Sequence, residues 1–246
     1  MKRVIDMLCV FRIHLARLRA EAGPFLLAAL VFPTAMYLFA IAVSGSDQVS
    51  DERRIRFLAG SIVFSLSMTS ISWLGYLLLE NRFTGRLKLF ATLPLAPSSY
   101  VFGILIFALG QAALGTATLL IIGYVMGVQA HVNFAALAVV VLLTMLCLCG
   151  ISVIVAACCR SFCEGSLLTD SLGAGLVFLA PVYYSPRAMP GGLRQLSAWL
   201  PTTFSARAIQ ATLAGSSQVA TELLVLSLMA AVALMVGFKA MAWRED

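Results

Sequence analysis

Six long runs of apolar residues constrain this 246-residue chain more than any other feature. A membrane-spanning helix needs roughly 20 mostly apolar residues, because the hydrocarbon core of a bilayer is about 30 Å thick. The chain is 61% hydrophobic and only 11% charged, whereas soluble domains contain about 25% charged residues. The runs show no period-two alternation, so a β-barrel is excluded and an all-α membrane protein is predicted. The six predicted spans are residues 24–43, 57–79, 100–127, 134–159, 166–184 and 219–238.

The basic residues predict how these spans are oriented. Six spans place both termini on one side, and Lys and Arg flanks resist translocation. With cytoplasmic termini, eleven of the 17 Lys and Arg residues fall on the cytoplasmic side and six on the outer side. The sequence therefore predicts a multi-pass protein of the cytoplasmic membrane with both termini inside. The net charge of +6 then reflects topology and contact with anionic lipid, not nucleic acid binding.

The pattern of residues 1–23 predicts an amphipathic helix along the inner membrane surface. Apolar residues recur there at steps of three and four, and Arg12, Arg17 and Arg19 lie off that stripe. A cleaved signal peptide is disfavoured, because its apolar stretch normally has about 7 to 15 residues. We therefore divide the chain into an interface helix, residues 1–23, and a transmembrane domain, residues 24–246. The stripe consists of Val4, Leu8, Phe11, Leu15, Leu18 and Ala22.

Small polar residues and cysteines within the spans are interpreted as packing residues. In a regular α-helix, Ser61, Ser65, Thr69 and Ser72 fall on one face, where small hydroxyl residues allow close helix contact. A substrate groove is the less favoured interpretation of that face. The cluster "CCRSFC", residues 158–163, lacks a second C-x-x-C pair or a nearby His, so small apolar residues at a helix end are favoured over metal binding or palmitoylation.

The sequence contains no pattern for catalysis or ATP binding. The two histidines, His14 and His131, lie outside the spans, and none of the three lysines occurs in a P-loop setting. We predict no enzyme activity, no metal and no cofactor in this chain, so any nucleotide energy must come from another chain. Asp170 is the one carboxylate predicted deep in a span. A cap-like role near the start of the fifth helix is favoured over a proton or substrate role.

A charged island of Glu80, Arg82, Arg86 and Lys88 separates the second and third spans. The stretch "NRFTGRLKLFATL" predicts one short amphipathic helix with these charges at its rim. A solvated hinge is the alternative, but it would not need bulky apolar residues, whose exposure is costly unless a partner covers them. The charged island therefore predicts a docking site for a soluble partner. The apolar side consists of Leu87, Leu89, Phe90 and Leu93.

Two segments resemble the type-2 ABC transporter permease family. Residues 80–102 are similar to that family's first cytoplasmic loop, with a Glu-x-Arg beginning, Gly85, spaced leucines and "ATLP" before the next span. Residues 186–215, "PRAMPGGLRQLSAWLPTTFSARAIQATLAG", are similar to its outer segment, in which a Pro, spaced leucines and a Leu-Pro pair precede the last span. The first loop departs from the family in being net basic.

The resemblance implies the permease subunit of an ATP-driven exporter. Two copies, identical or homologous, would pack together, and two separate ABC ATPase subunits holding ATP and magnesium would dock below. The implied coupling helix comprises Glu80, Arg82, Phe83, Gly85, Arg86, Leu87, Lys88, Phe90 and Leu93. The implied gate over the exit path consists of two short, half-buried outer helices bearing Pro190, Leu193, Leu196, Trp199, Leu200 and Pro201.

Other interpretations stay open at this point. The outer helices fit a surface-lying segment without a gating role equally well. The whole chain fits a non-transporting anchor or regulatory subunit of an ATPase complex and, less well, an ion-coupled carrier that uses Asp170. The scarcity of buried charge favours a hydrophobic or amphiphilic substrate, such as a drug, lipid, peptide or lipid-linked glycan.

Overall fold

The computed structural model describes residues 7, 9–16, 23, 26–44, 50–86, 97–186, 189–216 and 218–240. Every regular element in this part of the chain is helical. A helical segment at residues 9–16 comes first, and a π-helical turn, Leu27–Val31, follows. The longer helices are α1 (Phe32–Ser44), α2 (Asp51–Phe83), α3 (Pro97–Val125), α4 (Phe134–Cys158), α5 (Phe162–Leu179), α6 (Gly191–Ser197), α7 (Pro201–Leu213) and α8 (Ala220–Ala240).

Five helices in the described residues, namely α2, α3, α4, α5 and α8, are long and apolar enough to cross a membrane. They correspond to the second to sixth predicted spans, so the all-helical membrane fold is confirmed. The first predicted span instead contains the π-helical turn and the 13-residue α1. The turn lies just before Pro33, which has no amide hydrogen to continue the α-helical pattern. The count of six spans stays a prediction.

Helix α2 is the central helix of the bundle. It has 33 residues, and 78% of its apolar stretch is buried. A π-helical segment, Met68–Trp73, interrupts it and changes the directions of its hydroxyl groups. Ser67 Oγ donates to Gly173 O of α5 at 2.7 Å, whereas Ser70 Oγ donates to Met145 Sδ of α4 at 2.8 Å. The hydroxyls of α2 therefore serve two neighbouring helices.

The serine and threonine pattern of α2 is used for packing. Ser61, Ser65 and Thr69 are buried inside the chain, which agrees with the packing interpretation. Ser72 is only partly buried and donates to Thr169 O of α5 at 3.4 Å. The single hydroxyl face predicted for these four residues assumed a regular α-helix, and the π-helical segment removes that regularity at Ser72.

Helices α4 and α8 run parallel to each other in close contact. A Cβ atom added at Gly150 of α4 would lie 2.6 Å from Ala233 Cβ of α8, and one added at Gly237 would lie 3.0 Å from Val153 Cγ1. The pairs advance along both helices in the same direction, so α8 ends on the side of the bundle where α4 ends. We call this side, where α2 also ends and α3 begins, the island end, and the opposite side the far end.

The helical segment at residues 9–16 packs on α3 at the island end. Val10 and His14 are buried, and the rings of His14 and Phe107 lie 6.0 Å apart. Gly103 provides the space for Val10, because a Cβ there would lie 2.7 Å from Val10 Cβ. Leu15 of the predicted stripe is 42% exposed and does not pack into the bundle, so the membrane-facing stripe stays a prediction. Its other members at positions 4, 8, 18 and 22 lie outside the described residues.

Candidate functional site

The charged island begins on the last turn of α2. Glu80, Arg82 and Phe83 belong to this long helix, so the prediction that they start a separate short helix is wrong. The helix ends at Phe83, Thr84 is its C-cap, and Gly85 follows with a φ of 75°, the left-handed conformation that commonly terminates helices. Thr84 closes the turn by donating from Oγ1 to Glu80 O at 2.6 Å. The predicted coupling residues Leu87, Lys88, Phe90 and Leu93 lie outside the described residues.

The guanidinium of Arg82 joins α2 to the end of α4. Its Nη1 donates to three backbone carbonyls, those of Ala156 at 2.7 Å, Ala157 at 2.9 Å and Cys159 at 3.0 Å. The last carbonyls of a helix lack partners within the helix and carry partial negative charge, so a buried or half-buried cation stabilises them. Although the sequence predicted Arg82 at the rim of a docking helix, this contact fixes it within the chain.

Asn81 joins the two helices that flank the charged island. Its Nδ2 donates to Tyr100 Oη at 2.7 Å, and both side chains are buried. Tyr100 lies near the start of α3. The end of α2 and the start of α3 are therefore held together across the residues between them, and a force on the connecting segment acts on both helices.

Phe83, which lies among the residues of the charged island, and Arg86 both have exposed side chains. Phe83 is 40% exposed. Arg86 Nη1 lies 3.2 Å from Glu80 Oε1, and the side chain of Arg86 is 51% exposed. Exposed ion pairs of this kind contribute only about 0 to 1 kcal/mol. The exposed Phe83 ring is thus the main apolar surface that the described island offers to a partner.

The connection between α4 and α5 lies beside Arg82 and is capped by its own side chains. Ser161 Oγ accepts a hydrogen bond from Glu164 N at 3.2 Å, and Glu164 Oε2 accepts one from Arg160 N at 3.1 Å. The sequence signal for this cap is the S-x-x-E pattern of residues 161–164, which the sequence analysis missed. The cap makes α5 start at Phe162, four residues before the predicted span.

The cysteines at this connection differ in their environment. Cys158 and Cys163 are exposed, whereas Cys159 is buried. Burial raises the pKa of the Cys159 thiol above its ordinary value, and the nearby Glu164 carboxylate raises it as well. Within the described residues, no three His, Cys, Asp or Glu side chains come together as a metal site requires.

Asp170 does not cap α5. It is the ninth of the 18 residues of this helix, and the cap is formed by Ser161 and Glu164. The dipole effect expected for Asp170 falls off within the first turn of a helix, so the cap-like role predicted from sequence is wrong. Asp170 is exposed on the surface of the bundle.

The predicted gating residues lie on α6, on α7 and in the link between them. Pro190 is the N-cap of α6, and Pro201 is the first residue of α7. Leu193, Leu196 and Trp199 are 43%, 56% and 78% exposed, and Leu200 is partly buried. The two short helices expected from the sequence are present, with their apolar side chains on an exposed face at α6.

Helix α7 enters the bundle, which the sequence did not predict. Thr144 Oγ1 of α4 donates to Ser205 Oγ at 2.9 Å, and Thr202 Oγ1 donates to Leu176 O of α5 at 2.6 Å. At its other end, Thr212 O accepts from Asn133 N at 3.0 Å. Hydroxyl groups that bond neighbouring helices let this short helix lie among α4, α5 and α8. The signal in the sequence was the density of Thr and Ser after Pro201.

Side-chain contacts connect the island end of the bundle to the helices at its far end. Arg82 links α2 to the α4–α5 connection, Asn81 links α2 to α3, and α7 packs against both α4 and α5. The family description for an ABC-2 type transporter matches residues 7–214, which include the charged island and all of α7. The chain belongs to the ABC-2 type transporter family.

Membership of this family and the apolar helices make the chain a membrane transporter permease and a multi-pass membrane protein. The family match begins in the N-terminal segment and ends directly after α7. Both segments whose sequence resembles type-2 ABC permeases lie within it, apart from Gly215. No curated protein matches the chain.

Proposed function

We propose that this chain is the permease subunit of an ATP-binding-cassette exporter in the cytoplasmic membrane. It works as a pair with a second permease copy, and ATP and magnesium are held by separate ATPase chains. Family membership supports this proposal. The observation that carries it is the contact of Arg82 with the three carbonyls at the end of α4, because it connects the exposed island to the membrane helices.

The proposed coupling depends on a difference in the affinity of the ATPase for two conformations of the permease. If the ATPase binds the charged island more tightly in one conformation of the permease, nucleotide binding and hydrolysis shift the permease between conformations. The force would act on α2 and α3 together through Asn81 and Tyr100, and on α4 and α5 through Arg82. This geometry favours a coupling role over a simple hinge.

In the proposed orientation of the chain in the membrane, the island end lies in the cytoplasm. Residues 24–43 form the first of six spans in this proposal, and both termini are cytoplasmic. In support, the structure puts the helical segment at residues 9–16 and the end of α8 on the same side of the bundle as the charged island. Helices α6 and α7 then lie in the outer half of the membrane, where we assign them to the gate over the exit path. The exposed Leu196 and Trp199 fit contact with the outer leaflet.

The test replaces the apolar residues of the island, Phe83, Leu87 and Phe90, with Ala. The protein is purified with its cognate ATPase, and ATPase retention and substrate-stimulated ATP hydrolysis are measured. Anchor residues at interfaces typically contribute about 2 kcal/mol or more, which is roughly 30-fold in affinity. We expect a stably inserted permease that loses the ATPase. Tyr124→Ala is the control, since Tyr124 is an exposed aromatic residue at the far end, 82% exposed.

The outcomes separate the competing functions. Unchanged ATPase association in the triple variant would show that the island is only a hinge. A wild-type complex that binds its ATPase but never couples hydrolysis to movement of a substrate would favour the anchor or regulatory subunit. Transport that persists without any ATPase would favour the ion-coupled carrier.

A further inference from the structure

An apolar groove lies at the far end of the bundle, between α2, the last turns of α3 and the connection from α3 to α4. Its volume is about 450 Å³, which lies in the range of sites for small ligands. Leu58 and Val128 line it with buried side chains, whereas Ile121 and Phe134 line it with side chains that are 64% and 70% exposed. The groove therefore opens at the surface of the bundle.

The depth of the groove corresponds to one leaflet of a membrane. Along α3 it extends from Ala117 to the last turn of the helix, which ends at Val125. These eight residues correspond to about 12 Å, and one half of the hydrocarbon core is about 15 Å thick. Since α3 is one of the membrane-spanning helices, the groove has the length that an acyl chain in the leaflet at the far end requires.

Arg54 lies at the end of the groove where α3 leaves the hydrocarbon core. It precedes Leu58 by one turn of α2, and its Nη1 donates to Met126 O, directly after α3, at 3.1 Å. A Cβ added at Gly127 would lie 3.9 Å from the same nitrogen. Lipid phosphates lie at this boundary between hydrocarbon and water. A guanidinium binds phosphate through charge-assisted hydrogen bonds, so the apolar groove ends at a group that suits a lipid headgroup.

The charges around this end of the groove favour an anion. The first turns of α2 carry three arginines and two acidic residues, and Glu52 pairs with Arg56 at 3.0 Å. Arg53 and Arg54 therefore outnumber the remaining acidic residue, Asp51. Residues 126–134, which form the other side of this end, contain no Asp or Glu. A headgroup with a net negative charge is thus stabilised more than a zwitterionic one.

We propose that the groove binds one anionic phospholipid of the leaflet at the far end. Its acyl chain lies along α3 against Leu58 and Ile121, and its phosphate is held by Arg54. Lipid that merely surrounds an uncharged helix exchanges without regard to its headgroup, whereas this site selects by charge. The proposal does not depend on coupling to an ATPase, because the charged island lies at the opposite end of the bundle.

The test uses native mass spectrometry of the purified, delipidated chain. It is titrated with palmitoyl-oleoyl phosphatidylglycerol or with phosphatidylcholine that has the same two acyl chains. We expect wild type to bind one phosphatidylglycerol in preference to phosphatidylcholine. Arg54→Gln should weaken phosphatidylglycerol binding about fivefold, which corresponds to about 1 kcal/mol. Ala117→Trp should weaken the binding of both lipids, because it fills the deep end of the groove.

Each variant has a matched control. Arg53→Gln removes the same charge from the adjacent residue, whose side chain leaves α2 about 100° away from that of Arg54, and it should keep most of the binding. Ala113→Trp adds the same ring one turn earlier on α3, where Ala113 is also exposed but does not line the groove. It should bind both lipids as wild type does.

Three results would overturn the proposal. Equal binding of the two lipids by wild type, or no bound lipid of defined stoichiometry, would mean that the chain has no site for an anionic phospholipid, and this result needs no variant to fold. Equal effects of Arg54→Gln and Arg53→Gln would reduce the preference to general charge attraction. Equal effects of Ala117→Trp and Ala113→Trp would place the lipid outside the groove.

Discussion

At the scale of single residues, Arg82 joins the end of α2 to the end of α4. Replacing it with Ala removes three charge-assisted hydrogen bonds and leaves carbonyls of Ala156, Ala157 and Cys159 without this donor. Hydrogen bonds to charged groups contribute about 1.5 to 3 kcal/mol each, although they do not add fully. We expect Arg82→Ala to lower the free energy of unfolding by about 2 kcal/mol or more, measured by thermal unfolding of the purified protein.

Arg86→Ala is the control for Arg82→Ala. Arg86 is also an arginine of the charged island, but it is half-exposed and pairs only with Glu80 among the contacts described above. Its loss should lower the free energy of unfolding by less than about 1 kcal/mol, and the effect should shrink with added salt. Equal effects of the two substitutions would mean that the Arg82 contacts contribute little to stability.

The sequence predicted the location of the charged island but not the partners of its residues. The charges stand between two apolar runs, so their place at a membrane boundary is evident from hydropathy alone. Arg82, however, bonds backbone carbonyls that lie 74 to 77 positions later in the chain. Backbone groups leave no residue-type pattern, and only the packing of α2 on α4 brings them together. The same reason explains why Arg82 was predicted at a rim.

At the scale of helices, hydropathy predicted the spans better than their ends. Helix α4 begins at the predicted residue and ends one residue before the predicted end, because its apolar run and its helix nearly coincide. Helix α5 is shifted towards the N-terminus, because the Ser161 cap starts it early and it already ends at Leu179, just before Ala180 and Pro181. Helix ends depend on caps and turns, to which a count of apolar residues is insensitive. The π-helical segment of α2 was likewise invisible to that count.

The parallel packing of α4 on α8 depends on Gly150. Gly150→Ala would place a Cβ 2.6 Å from Ala233 Cβ and 2.8 Å from the Ala233 backbone carbon, so one helix must move. Overpacking of this kind typically costs about 1 to 3 kcal/mol. We expect a corresponding fall in the unfolding temperature of the purified protein.

Gly110→Ala on α3 separates this clash from a general effect of replacing glycine in a helix. A Cβ at Gly110 would meet nothing within 4 Å, and alanine favours a helix over glycine by about 1 kcal/mol. Gly110→Ala should therefore be neutral or stabilising. If Gly150→Ala is tolerated as well as Gly110→Ala, α4 and α8 are not in the close contact described here.

At the scale of the whole molecule, burial is distributed unevenly among the helices. The apolar stretch of α2 is 78% buried, whereas those of α5 and α8 are only 22% buried. A helix that is largely surrounded by its own chain has little free surface for another subunit. If two permease copies pair as proposed above, we therefore expect the contact to lie on α5 and not on α2.

The last prediction tests this assignment in a cysteine-free background. Leu167→Cys and Phe178→Cys place single thiols on the exposed face of α5, where the native side chains are 64% and 52% exposed. If two copies meet at α5, oxidation in the membrane should give disulfide-linked dimers, because thiols of symmetric copies approach each other near a two-fold axis. Leu66→Cys on α2 is the control, since Leu66 is 0% exposed and cannot reach a second chain. Dimers formed at Leu66, or an active complex that contains one permease copy, would contradict a pair joined through α5.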